Sequence, residues 1–290
     1  MSFKPDQYIK VKTVEEVTAL LQEYGEEAAI VAGGTELHEL AERGMIPKAK
    51  KLIDIEQLDL NYITSSEQSI RIGATTKLCN IRDDALFKRE GAYTSLSEAA
   101  TILPIQVVEL ATIGGSVCAG LPILNFPPVM VALCAELKVV STEEEKTIPA
   151  DEFFIDYFLT ALSPNEFVTE ILIPILPEGT GSVFQAFRIL KVDYPTVSIA
   201  ARVTLNGHGV CDEVRIVFGS VGRIPMRATK AESKLRGKNL EDKVIAEVVE
   251  AVPAEIEPIN DLRASAEYRR ELSKVLTESA LREAWKRAAS

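Results

Sequence analysis

An apolar run, Ile30-Val31-Ala32, breaks into Gly33-Gly34-Thr35-Glu36-Leu37 just where a helical pattern begins. A strand that must become a helix across two glycines and a hydroxyl narrows the possible architecture more than any other stretch of this chain. Without a Cβ, a glycine admits positive φ and lets a ligand come close to the backbone. The helix beyond would present its unpaired N–H groups to an anion. The pattern reads as a phosphate-binding turn. Taken alone, a glycine pair marks no more than a tight turn. A second pair, Thr112-Ile113-Gly114-Gly115-Ser116, stands nearer the middle of the chain. Two such turns, each flanked by hydroxyls, suit a diphosphate running between neighbouring loops.

Several chemistries are excluded. The sequence holds no G-x-x-x-x-G-K-[ST] loop, no G-x-G-x-x-G and no nucleophile elbow. It has two histidines: His208 in a turn, and His38 on the helix after the first glycine pair. Histidine-based acid–base catalysis therefore has little to work with. The four cysteines, Cys79, Cys118, Cys134 and Cys211, form no C-x-x-C pair, so the expectation is buried free thiols, a reducing compartment and no metal. A net charge of −11 repels nucleic-acid backbones. The segment Met1–Asp6 lacks the apolar core of a signal peptide, and no apolar run approaches the roughly 18 residues of a membrane span. The expected location is the cytoplasm. What remains is a cofactor cradle with almost no acid–base machinery, the profile of a protein that holds a redox cofactor and lets it do the chemistry.

With 290 residues, 47% of them hydrophobic, the chain has material for about two units. Thr13-Val14-Glu15-Glu16 is a capping box. Val17, Leu20, Leu21 and Tyr24 continue it as a helix that Gly25 ends. A strand over 28–32, the first glycine turn, a helix with Leu37, Leu40 and Ala41 inward and Gly44 as its stop, and a strand over 51–55 compose a small parallel α/β unit. The turn sits at a strand's C-terminal end, where ligands bind in such folds. From 62 to about 173 the pattern is α+β: strands at 69–74, 136–141 and 166–173, a helix at 94–103, and another opening at Asn125 and buried through Val129, Val131, Ala132 and Leu133. Glu143-Glu144-Glu145 reads as a solvated turn, and 174–181 as a linker. Strands at 183–190, 198–205 and 210–219 follow, the last two joined by an Asn206-Gly207 hairpin turn. Helices at 228–236, 241–251 and 265–289 complete the chain, the last with a stripe of Tyr268, Leu272, Val275 and Leu276.

Ala32-Gly33-Gly34-Thr35-Glu36-Leu37 and Ala111-Thr112-Ile113-Gly114-Gly115-Ser116 resemble the two diphosphate loops of the FAD-binding medium subunits of molybdenum hydroxylases. That family includes carbon monoxide, xanthine and nicotinate dehydrogenases and aldehyde oxidoreductases; its loops usually read Ala-Gly-Gly-Thr-Asp-Leu and Ala-Thr-Ile-Gly-Gly-Asn. Asp151-Glu152-Phe153-Phe154, Thr160-Ala161-Leu162 with Glu166 before Pro174, Pro225-Met226-Arg227-Ala228 and the run from Arg263 to Arg270 resemble further family markers. The resemblance implies an α+β fold: a two-part FAD-binding domain of the vanillyl-alcohol-oxidase (PCMH) type over 1–176, divided at 56/57, then a C-terminal domain over 180–290 of three antiparallel strands and a helical bundle.

The same resemblance implies FAD between the two halves. Ala32 to Thr35 and Thr112 to Ser116 would hold its diphosphate, with Ile30, Val31, Glu36, Leu37, Gly114, Gly115 and Asn125 in the site. Tyr194, in Asp193-Tyr194-Pro195, would stack on the isoalloxazine, and Lys191 would lie near it. The implied function is electron transfer from the iron–sulfur clusters of a small subunit through FAD to NAD or another acceptor, beside a molybdopterin-bearing large subunit. Departures from the pattern are Val107-Val108-Glu109 for the usual Ile-Arg-Asn, Ser116 for asparagine and Asn125 for aspartate. They point to weaker FAD retention and leave a second reading, a degenerate, non-catalytic scaffold subunit. A self-contained flavin oxidase is a third, for which this length leaves little substrate domain.

Overall fold

The computed structural model describes residues 5–42, 50–191 and 193–290. The chain opens with β1 (Gln7–Lys10), α1 (Val14–Tyr24), β2 (Ala28–Val31), α2 (Thr35–Glu42) and β3 (Lys51–Asp54). The three strands form a parallel sheet in the order β1-β3-β2. Strand β1 escapes the sequence reading because its side chains are mostly exposed and carry no apolar alternation. At α1, the Thr13 hydroxyl accepts the Glu16 amide at 3.2 Å, and the Glu16 carboxylate accepts the amide of Lys12, one residue before the cap, at 2.7 Å. Val17, Leu21 and Ile53 are buried here together with Phe167 of a later strand. The small unit is thereby sealed onto the larger one. The expected helix stop at Gly44 lies outside the described residues.

The larger unit contains β4 (Ile63–Ser65), β5 (Ser69–Gly73), α3 (Leu78–Asp83), α4 (Ala85–Lys88), α5 (Thr94–Thr101), α6 (Ile105–Leu110), α7 (Ile113–Cys118) and α8 (Phe126–Ala132). It continues through β6 (Glu136–Val140), β7 (Glu145–Pro149), α9 (Ala150–Phe153), β8 (Phe154–Asp156), β9 (Leu159–Thr160) and β10 (Phe167–Pro174). Five of these strands pair antiparallel in the order β4-β5-β10-β6-β7. Ile70, Ile72, Ile171 and Ile173 supply the sheet's buried face, against Phe126 and Met130. Edge strand β7 starts at Glu145, whose carboxylate pairs with Lys138 at 2.8 Å, so the expected acidic turn is one residue shorter than it reads. The second glycine turn is itself the start of helix α7, with Thr112 as its N-cap.

The last unit is an antiparallel sheet of β11 (Thr180–Phe187), β12 (Val197–Leu205), β13 (Cys211–Gly219) and a two-residue β14 (Met226–Arg227), in that order. Three helices accompany it: α10 (Thr229–Leu235), α11 (Asp242–Ala251) and α12 (Ala266–Ala288). The hairpin after β12 is longer than an Asn-Gly turn. The Asn206 carbonyl accepts the Gly209 amide at 2.9 Å, and Gly209, at φ 73°, makes the left-handed step. The Asn206 side chain accepts the amides of His208 and Val210.

The stripe expected on α12 is displaced around the helix. Tyr268 and Val275 are exposed, while Leu272 and Leu276 are partly buried against the core, and Arg269, Ser273, Thr277, Ala280, Leu281, Ala284 and Ala288 are buried. Small side chains let α12 lie close to the sheet. The Ser273 and Thr277 hydroxyls are satisfied by carbonyls one turn back, at 2.8 and 2.6 Å, so their burial leaves no open polar atom. Contact is tightest at Gly181, where a Cβ would overlap the Ala284 carbonyl oxygen. Gly181→Ala is expected to lower stability by about 1–3 kcal/mol through overpacking. The check is a lower urea midpoint at unchanged slope.

Candidate functional site

Strand β2, the turn into α2, the α6–α7 corner, the start of α8 and the turn after β11 surround one cleft of about 450 Å³. It lies within the size range of ordinary cofactor sites. The two glycine turns meet at its centre. A Cβ on Gly33 would overlap the backbone carbonyl of Leu110, so this glycine exists for loop-to-loop contact as much as for any ligand. Gly34, at φ +69°, redirects the chain from strand to helix. A Cβ on Gly114 would stand 2.7 Å from the Ala74 carbonyl oxygen, whereas one on Gly115 would meet only the Thr112 hydroxyl, at 3.1 Å.

The turns differ in what they offer an anion. Across the second, the Ile113 amide donates to the Thr76 carbonyl, Gly114 to Ala74, Gly115 to the Thr112 hydroxyl and Ser116 to the Thr112 carbonyl, all at 3.0–3.2 Å. These four amides, expected to be open, are satisfied within the protein. In the first turn, the amides of Gly33, Gly34 and Thr35 have no acceptor among the described residues. Thr35 and Ser116 contribute hydroxyls to the same cleft. Orphan amides at a helix start on one side, and a hydroxyl on the other, fit a phosphate-bearing group. Apolar walls that include Leu78, Val107, Leu124 and Val168 fit flat aromatic rings.

The departures noted in the sequence separate cleanly. Val107, in place of isoleucine, belongs to the apolar wall; Val108 is buried in the core and Glu109 is directed to Arg82, and neither of these two lines the cleft. Ser116 and Asn125 do line it. Buried Asn125 donates its Nδ2 to the Ala99 carbonyl at 2.8 Å, a bond that an aspartate could not make.

Ile30, Val31, Ala32, Gly33, Gly34, Thr35, Glu36, Leu37, Thr112, Gly114, Gly115, Ser116, Asn125 and Tyr194 all line the cleft. Lys191 does not; its side chain is exposed. His38 is likewise exposed on the outer side of α2. Sequence reasoning missed Glu39 and Arg188, which no motif marks, and quoted Asp193 only as the neighbour of Tyr194 without giving it a place in the cleft. It also gave no cleft role to Glu166 or Cys118. Burial raises the Cys118 thiol to about 12, which keeps it protonated and inert. Burial pushes the Glu166 carboxyl up, but Lys146 and the Ser163 amide outweigh it and hold the group below its usual range. Among the described lining residues Arg188 is the one cation, and its guanidinium donates to the Ile102 carbonyl. Among the described residues no group of three His, Cys, Asp or Glu side chains could hold a metal ion, and no helix is long and apolar enough to cross a membrane.

A parallel α/β lobe closed onto an antiparallel α+β lobe, with glycine turns from both at the seam, is the architecture of a two-part flavin-binding domain. Residues 1–176 match the family described as the FAD binding domain in molybdopterin dehydrogenase, and 182–284 match the carbon monoxide dehydrogenase flavoprotein C-terminal domain. The chain belongs to this family of FAD-binding flavoprotein subunits. It is 31% identical, over 97% of its length and 95% of the relative's, to the alpha subunit of the 6-hydroxypseudooxynicotine dehydrogenase complex of Paenarthrobacter nicotinovorans. It is 29% identical to the glyceraldehyde dehydrogenase medium chain of Sulfolobus acidocaldarius, over 95% of this chain and 97% of that one. A chain of carbon monoxide dehydrogenase from Hydrogenophaga pseudoflava superposes with a TM-score of 0.93 at 29% identity, covering 99% of each.

Gly33→Ala is expected to destabilise the protein by about 1–3 kcal/mol by forcing the two turns apart, and Gly115→Ala by well under half as much; urea unfolding of both variants is the check. A second expectation concerns Tyr194, whose hydroxyl donates to the Glu39 carboxylate at 2.5 Å. Burial first, then that bond, holds its phenol far above the usual value. Because the folded value exceeds the unfolded one, the contribution is complete below about pH 10 and is lost as pH rises beyond it. Tyr194→Phe should lower stability by about 1 kcal/mol at neutral pH and make the alkaline decline shallower. Unfolding curves across a pH series would reveal a slope unchanged by the substitution if the reasoning is wrong.

Proposed function

We propose that this chain is the electron-transfer subunit of a molybdenum hydroxylase of the cytoplasm. It receives electrons singly from the iron–sulfur clusters of a small partner subunit and hands them as pairs to NAD or another acceptor, while a molybdopterin-bearing large subunit oxidises the substrate. The observation that carries this reading is the cleft at the seam, lined both by apolar walls and by the first turn, whose Gly33, Gly34 and Thr35 amides have no acceptor among the described residues. FAD supplies the chemistry that converts between one- and two-electron transfers. The protein's part is to bind and orient. The amides of Gly33, Gly34 and Thr35, with the Thr35 and Ser116 hydroxyls, would hold the diphosphate; Tyr194 would form a wall beside the ring system; the apolar lining would exclude water.

The acidic side chains of the cleft support a holding role over an acid–base one. Tyr194 and Cys118 are kept protonated, and Glu166 is tied to Lys146. Relatives whose names concern 6-hydroxypseudooxynicotine, glyceraldehyde and carbon monoxide have chains of the same span, which is consistent with substrate choice residing in another subunit. The scaffold reading loses support from the positions of Val108 and Glu109, since those departures do not reach the cleft.

The purified chain, or the complex containing it, is expected to show the visible absorption bands of a flavin and to release FAD identifiable by mass. A colourless protein that takes up no added FAD, alone or with its partners, would leave the scaffold reading in place.

A further inference from the structure

The C-terminal marker that runs from Arg263 has no role in the cleft lining, yet it is joined to it. Asp193, Tyr194 and Pro195 form one wall of the cleft on the turn between β11 and β12. Arg263, from the segment before α12, grips both carboxylate oxygens of Asp193: Nε lies 3.1 Å from Oδ2 and Nη2 lies 2.8 Å from Oδ1. The Tyr194 amide donates to the same Oδ1 at 2.8 Å. The Arg263 guanidinium also lies over the Tyr194 ring, 5.8 Å from its centroid, near the outer limit of a cation–π contact.

Behind Arg263 stands a second layer. The amides of Arg263 and Ala264 donate to Asp261 Oδ1 at 2.9 and 3.0 Å, and that atom also accepts Arg269 Nη2 at 2.7 Å. Buried Arg269 in turn donates to the carbonyls of Thr196 and Ser220. The tyrosine is therefore fixed from two directions: its hydroxyl by Glu39 of α2, and, through Asp193, its amide, with its ring covered, by Arg263.

We infer that Arg263 is a positioning residue for the cofactor site: by its fork on Asp193 and its cover over the Tyr194 ring, it sets the orientation of the cleft wall without touching the cofactor. This rests on the FAD reading above. The requirement is for arginine, since lysine has the charge but not the planar two-point grip.

The test uses the full chain with Arg263→Ala, Arg263→Lys, Tyr194→Ala and the double Ala variant, read two ways. Hydrogen exchange at the Tyr194 amide of the FAD-free chain is expected to quicken about tenfold in Arg263→Ala, as a charge-assisted clamp is lost, and to recover less than half of that in Arg263→Lys. In the FAD-loaded chain, flavin fluorescence, quenched by the adjacent tyrosine, should rise severalfold in Arg263→Ala. Adding Arg263→Ala to Tyr194→Ala should change it no further. Unchanged exchange, unchanged fluorescence despite faster exchange, or additive effects in the double variant would each overturn the inference. Should the parent chain take up no FAD, the functional reading fails by itself, while the exchange measurement still decides whether Arg263 fixes Tyr194.

Discussion

The structure turns on the contact between two backbone loops at Gly33 and Leu110. A β-sheet lobe with its own parallel order and a larger lobe with an antiparallel one have no reason to share a cleft unless their loops can approach to backbone distance. Only a residue without a side chain permits that at Gly33. Phe167, paired in the larger sheet, completes the seal by packing its side chain into the small lobe's core. Cleft geometry therefore follows from how the two lobes dock, and the ligand-facing groups inherit their positions from packing that no ligand contributes to.

This contact also assigns different physical reasons to residues that look alike in the sequence. Four glycines in two similar motifs serve four ends: loop contact at Gly33, a left-handed step at Gly34, approach to the Ala74 carbonyl at Gly114, and a surface open to the cleft at Gly115. The turns look equivalent as strings, but one has its amides satisfied internally and the other leaves three without an acceptor among the described residues. Half of the asymmetry is invisible in sequence: Thr112, within the motif, accepts the Gly115 and Ser116 amides, but the acceptors for Ile113 and Gly114 are Thr76 and Ala74, far back along the chain.

Much of the architecture was nevertheless legible. The capping box, the strand–turn–helix at the first glycine pair, the three long strands of the last unit and its helices follow from local chemistry. What was missed was polar at an edge, as in β1 and β7, or governed by partners distant in sequence. The stripe on α12 reads as Tyr268 to Leu276 because large apolar residues dominate a helical-period search. The sheet instead selects the side where small residues allow close approach. Of the cleft residues, those in the motifs were identifiable, while Glu39 and Arg188 were not, since a charged residue on a helix or loop is by default a solvated one. Lys191 illustrates the converse: nearness in sequence to Tyr194 did not bring it to the cleft.

Arg188, alone among the described lining residues in carrying a positive charge, already serves the Ile102 carbonyl. An anion seated here would be held chiefly by aligned peptide dipoles at contact range. Such short-range attraction inside a walled cleft is screened by mobile ions far less than attraction to exposed lysines would be. On a chain with a net charge of −11, a phosphate-bearing group at this turn would therefore depend on short-range peptide dipoles that the surrounding salt does little to weaken.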